Sequence, residues 1–471
     1  MQEDYLSALP GELCDAIAAN LDNQGVHNLR ATCKTLHAKC DRQFAVHHFG
    51  VSTFMLTRKS LETLVAFSAN SRFAPYIKEL RIALTCFPSI LKTSCGPDPL
   101  THEEHQALHE IQQGSDGQTT ESMSKAVLGS RKNLKRNRRR NYDRHMHDQC
   151  TIRKQGVDLQ LLSDALGRLP RLETFTVLDR YDMKNMPWGC REVQIGFFPA
   201  WGPDGFAYME EQLSIETREY FHDICAHAVS LALGALSGTK VQLTSLRMAH
   251  VPYNTIVAQD SSRSRCATPA RTFSEEKFEG LGGVFSKLQE VSLGFYSAAG
   301  SDLSIINKPL LAWLPELIRF WESVQVLEIR GKNLEIDTYP FHLLATMVGK
   351  GAPLFPRLRA LRVSHTKFHV AHLVELVENH TDSLEKLRVH NCDPVQAGFL
   401  ALMDGLVGAH AMVSLELVED RMVPLSRWAL AGPSTMPRKL AGLKIAVLDI
   451  QKTDAVSFQQ ELRESIEYYD N

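Results

Sequence analysis

None of the ten cysteines stands in a C-x-x-C pair, which removes the usual spacings of zinc-binding and thiol-redox sites. The chain has no G-x-S-x-G elbow, no H-E-x-x-H helix and no cysteine with catalytic flanks. No supported nucleophile emerges, and the chain is read as a non-enzyme without cofactor or metal. Charge of one sign is missing too: 52 basic and 54 acidic residues leave a formal charge of −2, which excludes a general polyanion binder. Long apolar runs are also lacking. The longest nearly apolar stretch, ICAHAVSLALGAL from Ile224 to Leu236, has 13 residues and a histidine; it is too short for a bilayer and predicts a buried helix. The opening MQEDYLS is polar and no apolar segment follows it, so no secretory signal is read. Together these absences predict a soluble protein of the cytoplasm and/or nucleus, without membrane contact. Its scattered thiols are expected to be reduced and mostly buried.

What is present is ordinary in bulk and unusual in pattern. The 471 residues are 44% hydrophobic and 23% charged, a globular composition. A hexamer, apolar-x-x-apolar-x-apolar, keeps returning: IKELRI at 77, LETFTV at 172, LTSLRM at 243, LQEVSL at 288, VQVLEI at 324, LRALRV at 358, LEKLRV at 384 and MVSLEL at 412, with a weaker LAGLKI at 440. Successive starts are 95, 71, 45, 36, 34, 26, 28 and 28 residues apart. The later intervals match one strand-plus-helix unit of a leucine-rich repeat, and the earlier ones predict such units carrying insertions. HVAHLVELVENH and PVQAGFLALMDGLVGAH, between the late hexamers, have helical apolar spacing. The predicted fold class is therefore α/β, an irregular leucine-rich-repeat solenoid with parallel strands on the concave face and helices outside.

Two segments interrupt it. Residues 96–150 are polar and then basic, ending in RKNLKRNRRR from Arg131 to Arg140, and are expected to be disordered. The basic run has the density of a nuclear-import or nucleic-acid segment, but no interleaved aromatics favour base stacking, so nucleic acid is not the expected partner. A Ser/Arg/Pro-rich loop occupies 258–273. GLGG, Gly280 to Gly283, lacks the context of a phosphate loop and reads as a turn. His365, His369 and His372 are spaced for a helix face, but His365 ends a predicted strand, so no metal site is assigned.

The N-terminus carries a different pattern. In LPGELCDAIAANL, Pro10 suits a first helical turn, and Leu13, Ile17 and Leu21 make an apolar stripe. After the polar break Asp22–Gly25, Leu29, Cys33, Leu36 and Cys40 make a second stripe. Helices this few bury little core alone and need the rest of the chain or another protein.

Leu9, Pro10, Glu12, Leu13, Ile17, Leu21, Leu29, Arg30, Cys33 and Lys34, at their spacing, resemble an F-box. The likeness covers residues 5 to 45 and departs from the family in lacking an aromatic after Cys33-Lys34 and a Trp near its end. The following run, to residue 84, is similar to the segment joining F-box and leucine-rich-like repeats in fungal F-box proteins. The resemblance implies a boundary plan of 1–45 F-box, 46–95 linker helix/strand and first repeat, 96–150 insertion, 151–450 repeats and 451–471 tail. It implies a substrate-receptor subunit of an SCF-type cullin–RING ubiquitin ligase, bound to a Skp adaptor through Leu9, Pro10, Leu13, Ile17 and Leu21. Leu29, Cys33 and Leu36 would join them or hold the helices together. The alternatives are a non-proteolytic interaction scaffold and a nuclear nucleic-acid-associated repeat protein.

Strand alternation puts the residue between the last two apolar positions on the concave surface, the sheet's outer face, turned away from the helices: Arg81, Thr176, Arg247, Ser292, Glu328, Arg362, Arg388 and Glu416. With the flanking positions, Arg330, Arg362, Lys386 and Arg388 form a candidate basic patch for an unknown protein substrate, suited to carboxylate or phosphate.

Overall fold

The computed structural model describes residues 5–84, 140, 143–178, 187–188, 215–252, 275–296, 313–331, 344, 354–390, 392–395, 406, 411–412, 414–419, 445–451 and 460. Five short helices come first: α1 (Tyr5–Ala8), α2 (Gly11–Ala19), α3 (Asn23–Thr32), α4 (Lys34–Lys39) and α5 (Asp41–Phe49). Strands and helices then alternate: β1 (Val51–Met55), α6 (Arg58–Ala69), β2 (Glu79–Ala83), α7 (Val157–Leu166), β3 (Thr174–Leu178), α8 (Ile215–Ser237), β4 (Ser245–Pro252), α9 (Glu275–Phe285), β5 (Glu290–Tyr296), α10 (Trp313–Ile318) and β6 (Val326–Gly331). The rest comprises β7 (Ala360–Ser364), β8 (Lys367–His369), α11 (Val370–Glu378), β9 (Lys386–His390), β10 (Asp393–Val395), β11 (Ser414–Glu419) and β12 (Ile445–Gln451).

Ten strands form one sheet in the order β1-β2-β3-β4-β5-β6-β7-β9-β11-β12. The order follows the chain without reversal, and every pairing up to β11 is parallel. β8 and β10 pair in parallel as a separate two-stranded ribbon. Helices cover one face in the same order: α6 packs on α7, α7 on α8, and α8 on α9 and β4. This is an α/β arrangement with a parallel sheet, as the hexamers predict.

The hexamers supply the core. Ile77, Leu80 and Ile82 in the first, and their counterparts down to Met412 and Leu415 in the eighth, are buried at every position whose burial is described. The first apolar residue of each plugs the turn before its strand and the other two point under the helices. One continuous cluster results, from Phe49 and Phe54 through Phe175, Phe285 and Trp321 to Leu415. The apolar stretch at 224–236 lies in α8, with Ile224, Cys225, Ala228, Val229, Leu233 and Leu236 buried.

Several expectations need correction. The strand near the ninth hexamer is β12, which begins at Ile445 and runs antiparallel to β11, so it does not add another parallel unit. β1 adds a strand ahead of the first hexamer, with Thr53 in register with Arg81. Its outer edge is covered in part by Trp188, bridged to Phe54, whose backbone N–H donates to the Thr53 carbonyl at 2.9 Å. Blocking an edge in this way prevents stray strand pairing. GLGG is no turn: it lies inside α9, and a Cβ on Gly280 would come 2.4 Å from the Ser237 carbonyl oxygen, so this glycine allows α9 to touch the end of α8. The insertion's last part is ordered, helical over 143–155, with Gln149 and Ile152 buried. Residues 96–139, the loop 258–273 and most of the tail lie outside the described residues. Cys14, Cys33, Cys40, Cys225 and Cys392 carry reduced thiols, and all but Cys33 are buried. Cys150, in contrast to the expectation of reduced thiols, is disulfide-bonded. Among the described residues, no helix is long and apolar enough to cross a membrane.

Among the parallel pairings of the described residues the register slips between Met248 and Val251 of β4 opposite β5, a bulge; the antiparallel β11–β12 pair slips at Leu417/Val418. Gly294 lies against it, and a Cβ there would stand 2.0 Å from the Ala249 carbonyl oxygen. Gly294→Ala is therefore expected to destabilise the fold by about 1–3 kcal/mol, as overpacking does. Gly283→Ala, at a helical position with nothing within 4 Å, should be neutral or stabilising by roughly 0.5–1 kcal/mol. Chemical denaturation of both variants measures the contrast.

Candidate functional site

Two surfaces carry the sequence-predicted residues: the N-terminal helices and the outer face of the sheet. α2 follows Pro10, which stands as its N-cap rather than within its first turn. α3 is started by Asp22, whose side chain accepts from the Gly25 N–H at 2.7 Å, a strong N-cap; the polar break is thus mostly the first turn of α3. The second stripe is not one helix face. Cys33 is extended (φ −156°, ψ 163°) and ends α3, and its sulfur accepts from the Leu36 N–H to start α4.

The small core of this unit is Cys14, Ala18, Val26, Leu36 and Cys40, with Leu9, Leu21, Leu29, Cys33 and Phe44 packed against it. On α2 the inward stripe is therefore Cys14 and Ala18. Leu13 and Ile17, one helical turn apart, point outward and are 51% and 39% exposed. Pro10 is exposed as well, and Leu6 on α1 adds a further exposed apolar side chain. Leu36 is buried and leaves the candidate contact set, because its side chain is spent on holding α4 to α2 and α3. Leu9, Leu21, Leu29 and Cys33 are half-buried and serve the same packing. Burial pushes the Cys40 thiol up from its ordinary value, with Cys14 and Asp15 adding to the shift; it is a core side chain and not a reactive one.

Arg30, a residue of the motif, has a role that spacing did not reveal. It is buried, donates to Asp41 at 2.8 Å and meets His37 Nε2 at 3.0 Å. Its guanidinium lies 3.6 Å from the centre of the Phe44 ring. Asp41 is shared with Arg72, beyond α6, through Arg72 Nε at 2.7 Å and a second, shorter contact. The Arg72 hydrogen bond, working against desolvation, holds the Asp41 carboxyl below its ordinary range, with both guanidiniums adding to it. Burial lowers Arg30, and Asp41 opposes that shift; the guanidinium stays charged. Phe44 touches both cores and Phe49 is stacked on Phe73 with centroids 4.5 Å apart. The helical unit is thus fixed to the first strands by α5, a buried aromatic and a three-member ion cluster.

On the sheet's outer face the predicted column forms as read, in register from Arg81 through Thr176, Arg247, Ser292, Glu328, Arg362 and Arg388 to Glu416. From β2 to β6 it is neutralised in rungs. Arg81 pairs with Glu79 at 2.6 Å, and Arg247 with Glu290 at 3.0 Å. Glu328 accepts from Arg330 at 2.8 Å and from Ser292 at 2.8 Å. Desolvation would raise Glu328, but these bonds and the charges of Arg330 and Arg362 bring it below its ordinary value. Likewise burial opposes, and the Glu290 bond and charge overcome that to raise, Arg247.

The four candidate patch residues are therefore not equivalent. Arg330 is committed to Glu328, and Arg388 to Glu416 at 3.2 Å. Arg362 and Lys386 are exposed and have no ion-pair or hydrogen-bond partner among the described residues. His365 lies just past β7 with its ring 5.3 Å from His390, while His369 and His372 form a separate pair at 5.4 Å. Of the basic run only Arg140 is described, and it is exposed.

Asp41→Asn should cost roughly 1.5–3 kcal/mol, the range for a hydrogen bond to a charged group, because it strands the buried Arg30. A carboxyl held low stabilises the fold above its unfolded pKa of about 3.9 and loses that contribution as pH falls through the folded value. The gap between the natural chain and Asp41→Asn in a denaturation series should therefore close in acid. Leu13→Asp should change stability by less than about 0.5 kcal/mol, as exposed sites do, whereas Leu36→Asp should unfold the helical unit; helical circular dichroism separates them.

Compared with known protein families and with curated proteins, the chain matches none.

Proposed function

We propose that this chain is the substrate-receptor subunit of an SCF-type cullin–RING ubiquitin ligase, with an F-box at α2–α5 and a leucine-rich-repeat-like solenoid behind it. The observation that carries the reading is the exposed pair Leu13 and Ile17 on a helix whose own core is already filled by Cys14 and Ala18. An apolar helix face left outward on a rigid support is suited to a partner's groove, and these are two of the residues that resemble the F-box contact for a Skp adaptor. The chain-order parallel sheet, with hexamers buried in register, supports the repeat reading of the rest.

In this reading the protein forms no ubiquitin bond. It holds the adaptor at the helical end and a protein substrate on the sheet, so that the substrate's lysines experience a raised effective concentration of the charged E2. The Asp41 cluster and Phe44 matter because a loose joint would dilute that effect.

Co-purification with a Skp adaptor tests it. The intact chain should retain the adaptor, and a Leu13→Asp, Ile17→Asp variant with unchanged circular dichroism should lose it. Failure of the intact chain to retain any adaptor would sink the proposal and leave the repeats as a free-standing binding surface.

A further inference from the structure

The outer face of the sheet is charge-balanced on one side and not on the other. From β2 to β6 its ionic groups are Glu79, Arg81, Arg247, Glu290, Glu328 and Arg330, equal in sign and bonded to one another. On β7 and β9 the outward positions are Ala360, Arg362 and Ser364, and Lys386, Arg388 and His390. They hold three permanent cations and no carboxylate. Glu328 flanks Arg362 on β6, but Arg330 and Ser292 already occupy it. Glu416 flanks Arg388 on β11, and Asp449 follows at the next register position on β12.

Arg362 and Arg388 are also direct register partners. Like charges opposite each other on neighbouring strands are destabilising. One strand further, Glu416 and Asp449 are a like pair of the opposite sign, but Glu416 is bonded to Arg388. Arg362 and Lys386 have no bonded carboxylate among the described residues, a place an outside anion can take.

We infer that the outer face of β7 and β9 is the docking surface for an extended acidic peptide segment of a partner protein, with Arg362 and Lys386, which form no ion pair among the described residues, as its two cations and Arg388 at its edge. Carboxylate is the anion indicated, because every other bonded arginine of this column holds one, at 2.6 to 3.2 Å. Spacing sets the pattern. Lys386 and Arg388 are two residues apart on one strand, about 6.7 Å, which equals the separation of alternate side chains in an extended peptide. Arg362 lies one strand away, about 4.8 Å. A segment running along β9 with acidic residues at alternate positions meets these cations in turn. The assignment deepens the receptor reading by naming the chemistry of its substrate, and it rests on that reading only for its biological purpose.

The test is direct binding of the intact chain to a fluorescent peptide of alternating Glu and Ser, by anisotropy. Binding should weaken with salt, since exposed charges are screened beyond about 8 Å at physiological ionic strength. Arg362→Glu with Lys386→Glu should weaken it roughly tenfold or more, as expected when charge-assisted bonds become repulsions. Lys287→Glu, the same kind of charge change at an exposed position before β5, should leave it unchanged. No binding by the natural chain, equal binding by the double variant, or an equal loss in Lys287→Glu would overturn the assignment. Binding confined to a phosphoserine peptide would also overturn it. Adaptor retention, measured in parallel, separates this failure from failure of the ligase reading: the double variant keeps Leu13 and Ile17 and should hold the adaptor as the natural chain does.

Discussion

Side-chain alternation in strands stacked in parallel register is the constraint on which the rest of this molecule depends. Each hexamer places its first apolar residue in a turn and its last two beneath the helices, and parallel register puts like positions of all units side by side. The same geometry that lines up Leu80, Phe175, Leu246, Val291, Leu327, Leu361, Leu387 and Leu415 in the core lines up the intervening residues in water. A fully buried side chain of this kind contributes about 1.5–3 kcal/mol, so the apolar column decides the fold. The polar column must then be made compatible with it. Exposed ion pairs stabilise by about 0–1 kcal/mol at most, and here they neutralise Arg81, Arg247, Glu328 and Arg388 within the column. Small hydroxyls do the rest: Thr53, Thr176, Ser245 and Ser292 are almost fully covered by the longer side chains beside them.

The N-terminal helices obey a different economy of space. Their core is made of small residues, two cysteines, an alanine, a valine and a leucine, and cannot be large. Rigidity comes from attachment. α5 contributes Ala45 and Phe49 to the main core while its first residue, Asp41, ties Arg30 of α3 to Arg72 beyond α6. A buried guanidinium stacked on Phe44 and bonded to a carboxylate that also faces solvent is costly to break and specific in geometry. That combination explains how a unit with little core presents Leu13 and Ile17 outward without collapsing around them.

Much of this was legible because large apolar residues at fixed spacing leave few alternatives. The eight hexamers, the outward column and the buried helix at 224–236 needed only alternation and period. What escaped notice was set by small residues and by long-range partners. Cys14 and Ala18 form the inner face of α2, yet Leu13 and Ile17 read as the stronger stripe, since size and not position dominates such a pattern. Cys33 breaks a stripe that is continuous in sequence, through a backbone angle that no composition rule encodes. Gly280 marks a helix–helix contact and not a turn, because the Ser237 carbonyl it admits is more than forty residues away in the chain. Asp41 and Arg72 are separated by 31 residues, so their pairing has no local signature. The direction of β12 is likewise absent from its own residues, as an apolar strand pairs either way and the connection decides.

The two candidate surfaces lie far apart in the strand order, with α5 feeding β1 at one edge and the cation pair on β7 and β9, two strands short of the other edge. Seven strand intervals separate β1 from β9, and at about 4.8 Å each they span roughly 34 Å along the stack. That distance exceeds both the screening length of about 8 Å and the 7–10 Å beyond which substitutions act additively. Changes at Leu13 and Ile17 and changes at Arg362 and Lys386 should therefore combine without coupling, unless the sheet between them yields. It is built not to: each interval is closed by ladder hydrogen bonds and by buried hexamers, and the helical end is fixed by the Asp41 cluster. A stiff span of this kind keeps the exposed apolar pair at the helical end and the cations on β7 and β9 at a fixed separation. Affinity at either end can then change without altering the geometry between them.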